Sequence, residues 1–386
     1  MTLQQKQRLD LHLGRLLIVF LKPFVMLAGL LLRRDHDLVP RRRIVAIKLM
    51  GGGSLVLAFP ALLGLRRRYP DIRMTLVCTP ATKSFADLLQ VFDDLVVVED
   101  GGIRRLVASA CRALRACWGA DTVIDFEVHS RLTTVFAACT AARNRLGFYL
   151  ETAFWRRGLA THLFFFNRSA PSWRFYDQIA VSLGAVPADT TQCRAWLAER
   201  SALTQPVPSS APVRRLALAC FCSDLSAERM LTAEQWAGLI AAGLPAVEEV
   251  TLFGGPGDRE KAEAFAAVLA AGLPRARIVN ACGIHSLDAS IRSLLACDQF
   301  WSIDTGLLHV ARMIGLSSVS YWGPTDPATL LRPIEGLVER QHYARISCSP
   351  CVHLTEIPPC QGRNLCMRIH TEPGAVDVNP IWLQRG

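Results

Sequence analysis

The sequence lacks the common signatures of nucleotide and nucleic-acid chemistry. It has no G-x-G-x-x-G fingerprint and no Walker loop, so neither a dinucleotide nor an ATP site is indicated. It has no zinc-finger spacing of the nucleic-acid type, no RNA-binding signature and no basic helix interleaved with aromatics. Nucleic acid is therefore set aside as a partner. No tandem repeat points to a solenoid. A secretory signal peptide is not expected either, because the apolar run near the N-terminus is broken and no small-residue cleavage site follows it.

Positive charge is in excess. Lys and Arg number 43 against 33 Asp and Glu, a formal net charge of +10, which suits phosphorylated substrates or an anionic membrane. A chain of 386 residues, half of them hydrophobic, is too long for one core and suggests two domains. Thirteen cysteines, mostly isolated at core-like positions such as Cys78, Cys111 and Cys139, suggest a reducing compartment.

Residues 11–32 are strongly apolar but interrupted by Arg15, Lys22 and Pro23, with arginines at 33, 34 and 41–43. A mid-membrane charge and a proline kink both oppose spanning. The pattern predicts two short apolar pieces lying in a membrane interface, with basic flanks on headgroups. The alternative is a helix packed on the protein's own surface.

Strand and helix signals alternate from residue 43 onward, which predicts doubly wound parallel sheets. The first strand, over 43–48, runs into Gly51, Gly52 and Gly53, with a helix beginning near Ser54. These glycines leave room for a substrate against the main chain. Strands are predicted over 74–78, 95–98 and 122–126, with helices over 84–90, 103–118 and 130–142. At the end of the strand over 122–126 stand Glu127 and His129, possible proton acceptors, and Arg131, a possible anion contact. An exposed Glu127–Arg131 ion pair is the competing reading. Ser- and Pro-rich residues 200–213 read as a linker.

A second series follows, with strands over 216–220, 249–253 and 278–280. A capping box is expected at Thr232 and Gln235, and a glycine turn at Gly254 and Gly255. The central stretch is 300–327. A strand there ends in the Asp304-Thr305-Gly306 turn, a helix covers Leu307 to Ile314 with Gly315 as its stop, and a strand over 318–322 enters Gly323-Pro324-Thr325. Asp304 or Thr305 can cap that helix, whose first-turn amides suit a phosphate. Cys348, Cys351, Cys360 and Cys366 have the spacing C-x₂-C-x₈-C-x₅-C, the form of a structural zinc or iron site, with two disulfides or four free thiols as alternatives.

Taken together, the glycine turn with its apolar helix, D-T-G-L-L-H at 304–309 and W-G-P-T-D-P at 322–327 resemble glycosyltransferase family 9, the heptosyltransferases of lipopolysaccharide assembly. The likeness runs through most of the chain after residue 43. It implies an α/β fold of GT-B architecture, two Rossmann-like domains facing across a cleft. On this reading residues 1–40 are a membrane-associating segment and 41–199 the acceptor domain. Residues 214–372 then form the nucleotide-sugar domain, with its cysteine tail at 348–366, and 373–386 pack back on the first domain.

The resemblance also implies transfer of a sugar, a heptose in most members, from a nucleotide-diphosphate donor such as ADP-heptose to a lipid-linked saccharide. Such transfer is inverting, needs no catalytic metal, and takes place on the cytoplasmic face of the bacterial inner membrane. Donor contacts carry over to Asp304, Thr305, Gly306, Leu307, His309, Ser223, Arg229, Gly254 and Gly255. Acceptor contacts fall on Gly51, Gly52, Gly53 and Arg131. Family members usually have Asp where this chain has Ser54. Glu127, in a D-F-E segment typical of a subgroup, is therefore the candidate base, with Ser54 as an acceptor contact or helix cap. A sugar-binding scaffold without catalysis and a protein glycosyltransferase are the competing functions.

Overall fold

A computed structural model describes residues 3–203, 211–222, 227–352, 354, 360 and 363–374. The chain divides into two compact units, Met1–Ser201 and Ala202–Gly386. In chain order the first holds α1 (Leu3–Leu32), β1 (Arg43–Lys48), α2 (Gly52–Arg68), β2 (Arg73–Cys78), α3 (Pro80–Leu89), β3 (Asp94–Val97) and α4 (Ile103–Cys117). It continues with β4 (Thr122–Asp125), α5 (Arg131–Cys139), β5 (Asn144–Tyr149), β6 (His162–Phe165), α6 (Ser172–Ser182) and α7 (Thr190–Ser201).

All six strands pair in parallel in the order β3-β2-β1-β4-β5-β6. This is the Rossmann order, in which the direction of winding reverses between β1 and β4 and leaves a crevice at their carboxyl ends. The central strands β2, β1 and β4 are buried on both faces, as parallel sheets require, and the edge strands β3 and β6 are half-buried. Val45, Ile47, Val77 and Val123 pack on one side with Ala113 and Cys117 of α4.

The second unit runs β7 (Arg215–Ala219), α8 (Ala233–Gly243), β8 (Glu249–Leu252), α9 (Arg259–Gly272), β9 (Arg277–Asn280) and α10 (Leu287–Leu295). Then follow β10 (Gln299–Ser302), α11 (Gly306–Ile314), β11 (Ser318–Trp322), α12 (Pro327–Leu330), β12 (Glu339–Tyr343) and α13 (Leu365–Arg368). Its sheet, β12-β11-β10-β7-β8-β9, repeats the same order, all parallel, with the reversal between β7 and β10. The capping box forms as the sequence predicts: the Thr232 hydroxyl accepts from the Gln235 amide, and the Gln235 side chain accepts from the Thr232 amide. Gly315 ends α11 at φ 87°, a left-handed stop that glycine adopts without strain.

The amino-terminal segment differs from its sequence expectation. It is not two pieces but one helix of 30 residues that continues through Pro23. The proline lies on the exposed side, where the lost backbone bond leaves a carbonyl open to solvent instead of orphaned in a core. One stripe of the helix packs on the first unit through Ile18, which clusters with Val135, Ala138 and Leu159. The expected packing of residues 373–386 on the first domain falls, from residue 375, outside the described residues, as do residues 204–210 of the expected linker.

Candidate active site

Each reversal point carries an acid after its central strand and a cation from the neighbouring strand's side. In the first unit these are Glu127, just past β4, and Lys48, the last residue of β1. Glu127 Oε1 accepts from Lys48 Nζ at 3.1 Å and from the amides of Leu49 and Met50 at 2.7 and 2.9 Å. One carboxylate oxygen thus holds the glycine turn to the end of β4. The other, Oε2, has no hydrogen-bond partner among the described residues and is not sealed from solvent. Burial opposes the Lys48 ammonium, but the charges of Glu127, Tyr176 and Asp125 outweigh it and hold its pKa above the usual lysine value.

The Glu127 backbone is fixed from below. Its amide donates to Asp125 Oδ1 at 3.0 Å, and its carbonyl accepts from the buried Arg156 guanidinium, which also reaches the Ser130 carbonyl at 3.2 Å. Arg156 pairs with Asp125 at 3.3 Å, and the Thr133 and Thr134 hydroxyls donate to the same carboxylate at 3.0 and 3.2 Å. Burial nevertheless dominates and raises the Asp125 carboxyl to about 6.

The exposed Glu127–Arg131 pair does not form. Lys48 takes the carboxylate, and the Arg131 guanidinium lies over the Trp155 ring at 5.0 Å. His129 is exposed. Ser54 is not a helix cap, because α2 begins two residues earlier, behind Gly51 at φ 76°. Its hydroxyl instead lies near the buried Tyr176 phenol, whose pKa burial raises. Gly51 and Gly52 are required by space: a Cβ would lie 2.8 Å from Ser54 Oγ at the first and 2.1 Å from the Phe85 ring at the second. Gly53 stands in the first turn of α2. Lys48, Tyr176 and Arg156 were not found by sequence reasoning. Their partners lie 79, 122 and 29 or 31 residues away, and no local spacing reveals such contacts.

In the second unit, the Asp304-Thr305-Gly306 turn leaves β10 and enters α11. Thr305 is the cap, its hydroxyl accepting from the Leu308 amide at 3.2 Å. The amides of Gly306 and Leu307 have no acceptor within the helix, as the first turn of any helix leaves them. Arg229 donates to the Asp304 carbonyl at 2.8 Å and to its Oδ2 at 3.2 Å. The structure thus brings these two predicted residues together, with the guanidinium on the acid. His309 Nε2 is 3.8 Å from Asp304 Oδ1, too long for a hydrogen bond. Burial lowers the His309 pKa to about 4, so the ring is neutral at pH 7. Its buried Nδ1 and the buried Thr325 hydroxyl have no partner among the described residues. Arg312, buried on α11, anchors the helix to β12 through Glu339 at 2.6 and 2.9 Å.

The glycine turn after β8 closes on itself, the Gly255 amide donating to Asp258 Oδ2 at 2.8 Å. A Cβ at Gly254 would lie 3.0 Å from both that oxygen and Cys282 Sγ. Ser223 lies outside the described residues.

The cysteine tail gives the metal expectation no support. All four thiols are described and free, and no group of three or more His, Cys, Asp or Glu among the described residues is placed to hold a metal ion. The tail packs against the end of β11 instead. The amides of Cys351 and Val352 both donate to the Pro324 carbonyl at 3.0 Å, and a Cβ at Gly323 would lie 2.8 Å from Cys366 Sγ. Burial, aided by the neighbouring Cys351, Cys360 and Cys348, pushes the Cys366 thiol up to about 12.

Several solved structures share this fold. A glycosyl transferase family 9 protein from Veillonella parvula superposes with a TM-score of 0.59 at 19% identity, covering 80% of this chain and 87% of that one. The heptosyltransferase WaaC of E. coli, solved with ADP, gives 0.58 at 18% identity, with 78% and 92% covered. The E. coli ADP-heptose LPS heptosyltransferase II gives 0.58 at 16%, with 86% and 100% covered. At such identities the likeness establishes the fold, a GT-B-like pair of parallel α/β units. No curated protein matches the sequence. The profile of glycosyltransferase family 9 (heptosyltransferase) matches residues 107–360, from within α4 to the third cysteine of the tail, taking in both reversal-point acids. On that match the chain belongs to glycosyltransferase family 9, the heptosyltransferase family, and is a glycosyltransferase.

Proposed function

We propose that this enzyme moves a heptose from a nucleotide-diphosphate donor of the ADP-heptose type to a lipid-linked saccharide, with inversion and without a catalytic metal. The observation that carries the reading is the start of α11. Two first-turn amides there lack acceptors, behind a Thr305 cap and beside a neutral His309 with an unpartnered ring nitrogen. Such a helix start stabilises a diphosphate through N–H groups and the helix dipole. WaaC has been solved with ADP and with ADP-2-deoxy-2-fluoro heptose, which supports the same donor class here.

In the proposed reaction an acceptor hydroxyl oxygen bonds to the anomeric carbon on the face opposite the diphosphate. The bond from that carbon to the phosphate oxygen breaks, and its electron pair leaves on the diphosphate, whose charge the amides of Gly306 and Leu307 share. The hydroxyl proton goes to Glu127 Oε2, the carboxylate oxygen not engaged by Lys48 and the glycine turn. Arg131, Ser54 and Gly51 to Gly53 are proposed to line the acceptor side. His309 orients the donor turn, and Arg229 holds Asp304 toward the sugar. Gly254, Gly255 and Ser223 complete the proposed donor set, Gly255 through its carbonyl side because its amide is taken.

We place the enzyme on the cytoplasmic face of the inner membrane, held through residues 11–32. Radiolabelled transfer from ADP-heptose to a lipid saccharide extract tests the reading, with anomeric configuration read by NMR. Label retained in EDTA is the expected result. A second reading, a donor-binding protein without turnover, is favoured by the three donors already on Glu127 Oε1. It predicts ADP binding with no transfer, and labelled polypeptide instead of lipid would mark a protein glycosyltransferase.

A further inference from the structure

The two faces of α1 differ sharply. On the inner stripe, Asp10 is the only acid among the first 34 residues, which carry six Lys and Arg. Its Oδ1 accepts from the Ser130 hydroxyl at 2.6 Å and the Leu132 amide at 2.9 Å, and its Oδ2 from the Arg131 amide at 2.9 Å. A residue from a helix 120 positions away thus caps the first turn of α5, directly after the Glu127 loop. One turn on, Gly14 lets the helices touch, since a Cβ there would lie 2.4 Å from Arg131 Cβ. Ile18 then fills the gap between α5 and Leu159. Farther along, the Lys22 and Met26 side chains cover Gly158, which follows a six-residue 3₁₀ segment (Glu151–Arg156).

The outer stripe has no partner in the described residues. Leu16, Phe20, Phe24, Leu27 and Leu31 recur at helical spacing and are 54–75% exposed. Phe154 of the 3₁₀ segment, 52% exposed with the Arg157 guanidinium over its ring at 5.7 Å, extends the same chemistry. A continuous apolar stripe of this length on a soluble surface marks a protein or membrane contact. Charge decides for the membrane. Arg8, Arg15 and Arg33 accompany the helix and the one acid faces inward, the pattern of a helix lying on anionic headgroups.

We infer that the outer stripe of α1 docks on an anionic phospholipid surface and that Asp10 transmits this docking to the Glu127 loop. That loop is held at three places: by Lys48 and the glycine turn, by Arg156, and by Asp10. The first two belong to the sheet and its own connections. The third lasts only while α1 is helical and seated. Because the inner and outer stripes lie on opposite sides, a bilayer fills one without displacing the other. A surface that binds the seated form favours it by mass action, and the α5 cap with it. The name "acceptor side" for the loop rests on the proposed function; the coupling itself does not.

Amide hydrogen exchange on the full chain tests the coupling, with vesicles of phosphatidylglycerol and phosphatidylcholine, vesicles of phosphatidylcholine alone, and no vesicles. The expected result is sedimentation with the anionic vesicles only, lost in the F20E/F24E variant, together with slowing of exchange at residues 127–134 by several-fold. In D10A, binding persists and the slowing disappears, while exchange in α2 and α6 is unchanged. Should D10A not fold, S130A, which removes a single bond of the clasp, is expected to halve the slowing or more. Vesicle binding without slowing, or equal slowing in D10A and S130A, overturns the coupling. Absence of vesicle binding, or a dimer abolished by F20E/F24E in its place, overturns the docking. Since no sugar or nucleotide enters the experiment, its failure is distinct from failure of the transferase reading.

Discussion

Lys48 and Glu127 meet across the reversal point of the first sheet, Nζ to Oε1 at 3.1 Å, and neither is more than about a tenth exposed. The pair does two things at once. It closes the glycine turn onto β4 and engages only one of the two carboxylate oxygens.

Substituting Glu127 with Gln removes the anion and leaves a buried ammonium unpaired. Loss of about 3 kcal/mol in the unfolding free energy of the first unit is expected, the scale for breaking a buried pair. The K48M/E127Q double variant recovers a good part of it in a double-mutant cycle followed by denaturant melts. Transfer activity does not return in the double variant if Glu127 takes the proton. Recovery of turnover together with stability would make its role architectural.

Two buried groups, one in each unit, respond to acid with opposite signs. Asp125 has a folded pKa of about 6, above the unfolded 3.8. Its contribution to stability is full below pH 3.8 and is lost as pH rises through 6. His309 has a folded pKa of about 4, below the unfolded 6.5. Its contribution is full above pH 6.5 and is lost as pH falls through 4. Each amounts to roughly 3 kcal/mol at most, since one pKa unit is about 1.4 kcal/mol. D125N is expected to remove the part of the first unit's pH dependence that Asp125 contributes between pH 4 and 6, read as the difference from the unsubstituted protein in denaturant melts. H309N removes the His309 part of the second unit's dependence, of opposite sign, between pH 4 and 6.5.

Gly51 to Ala places a side chain at φ 76° with its Cβ 2.8 Å from Ser54 Oγ. The left-handed backbone alone costs about 1–2 kcal/mol, and the contact pushes Ser54 off Tyr176. A melting temperature lower by several degrees, with weaker acceptor saturation, is the expected outcome.

Thr305 to Ala removes the cap of α11 and costs about 1 kcal/mol of stability. It also loosens the helix start, so ADP affinity measured by calorimetry falls several-fold. Thr305 to Ser, which keeps the hydroxyl, restores both.

Much of this was legible from local pattern. The run of β and α signals, the Thr232 capping box, the Gly315 stop and the Asp304 turn are all encoded within a few residues of one another. The strand at 318–322 stands as read, and the helix of the central stretch starts one residue earlier, at Gly306. What escaped is what the chain assembles from a distance. Asp10 caps a helix 120 residues on, Arg156 reaches back to Glu127, and Tyr176 returns to Ser54. Pro23 misled because the backbone bond it removes lies on the exposed side of α1, where water can take the freed carbonyl.

The Cys366 thiol is wedged behind Gly323 and protonated well beyond neutral pH. A maleimide or iodoacetamide added to the folded enzyme therefore waits for the tail to lift from β11 before it can react. Its rate of modification at that one sulfur becomes a clock for the opening of the W-G-P-T corner, and a bound nucleotide that braces the corner would slow it.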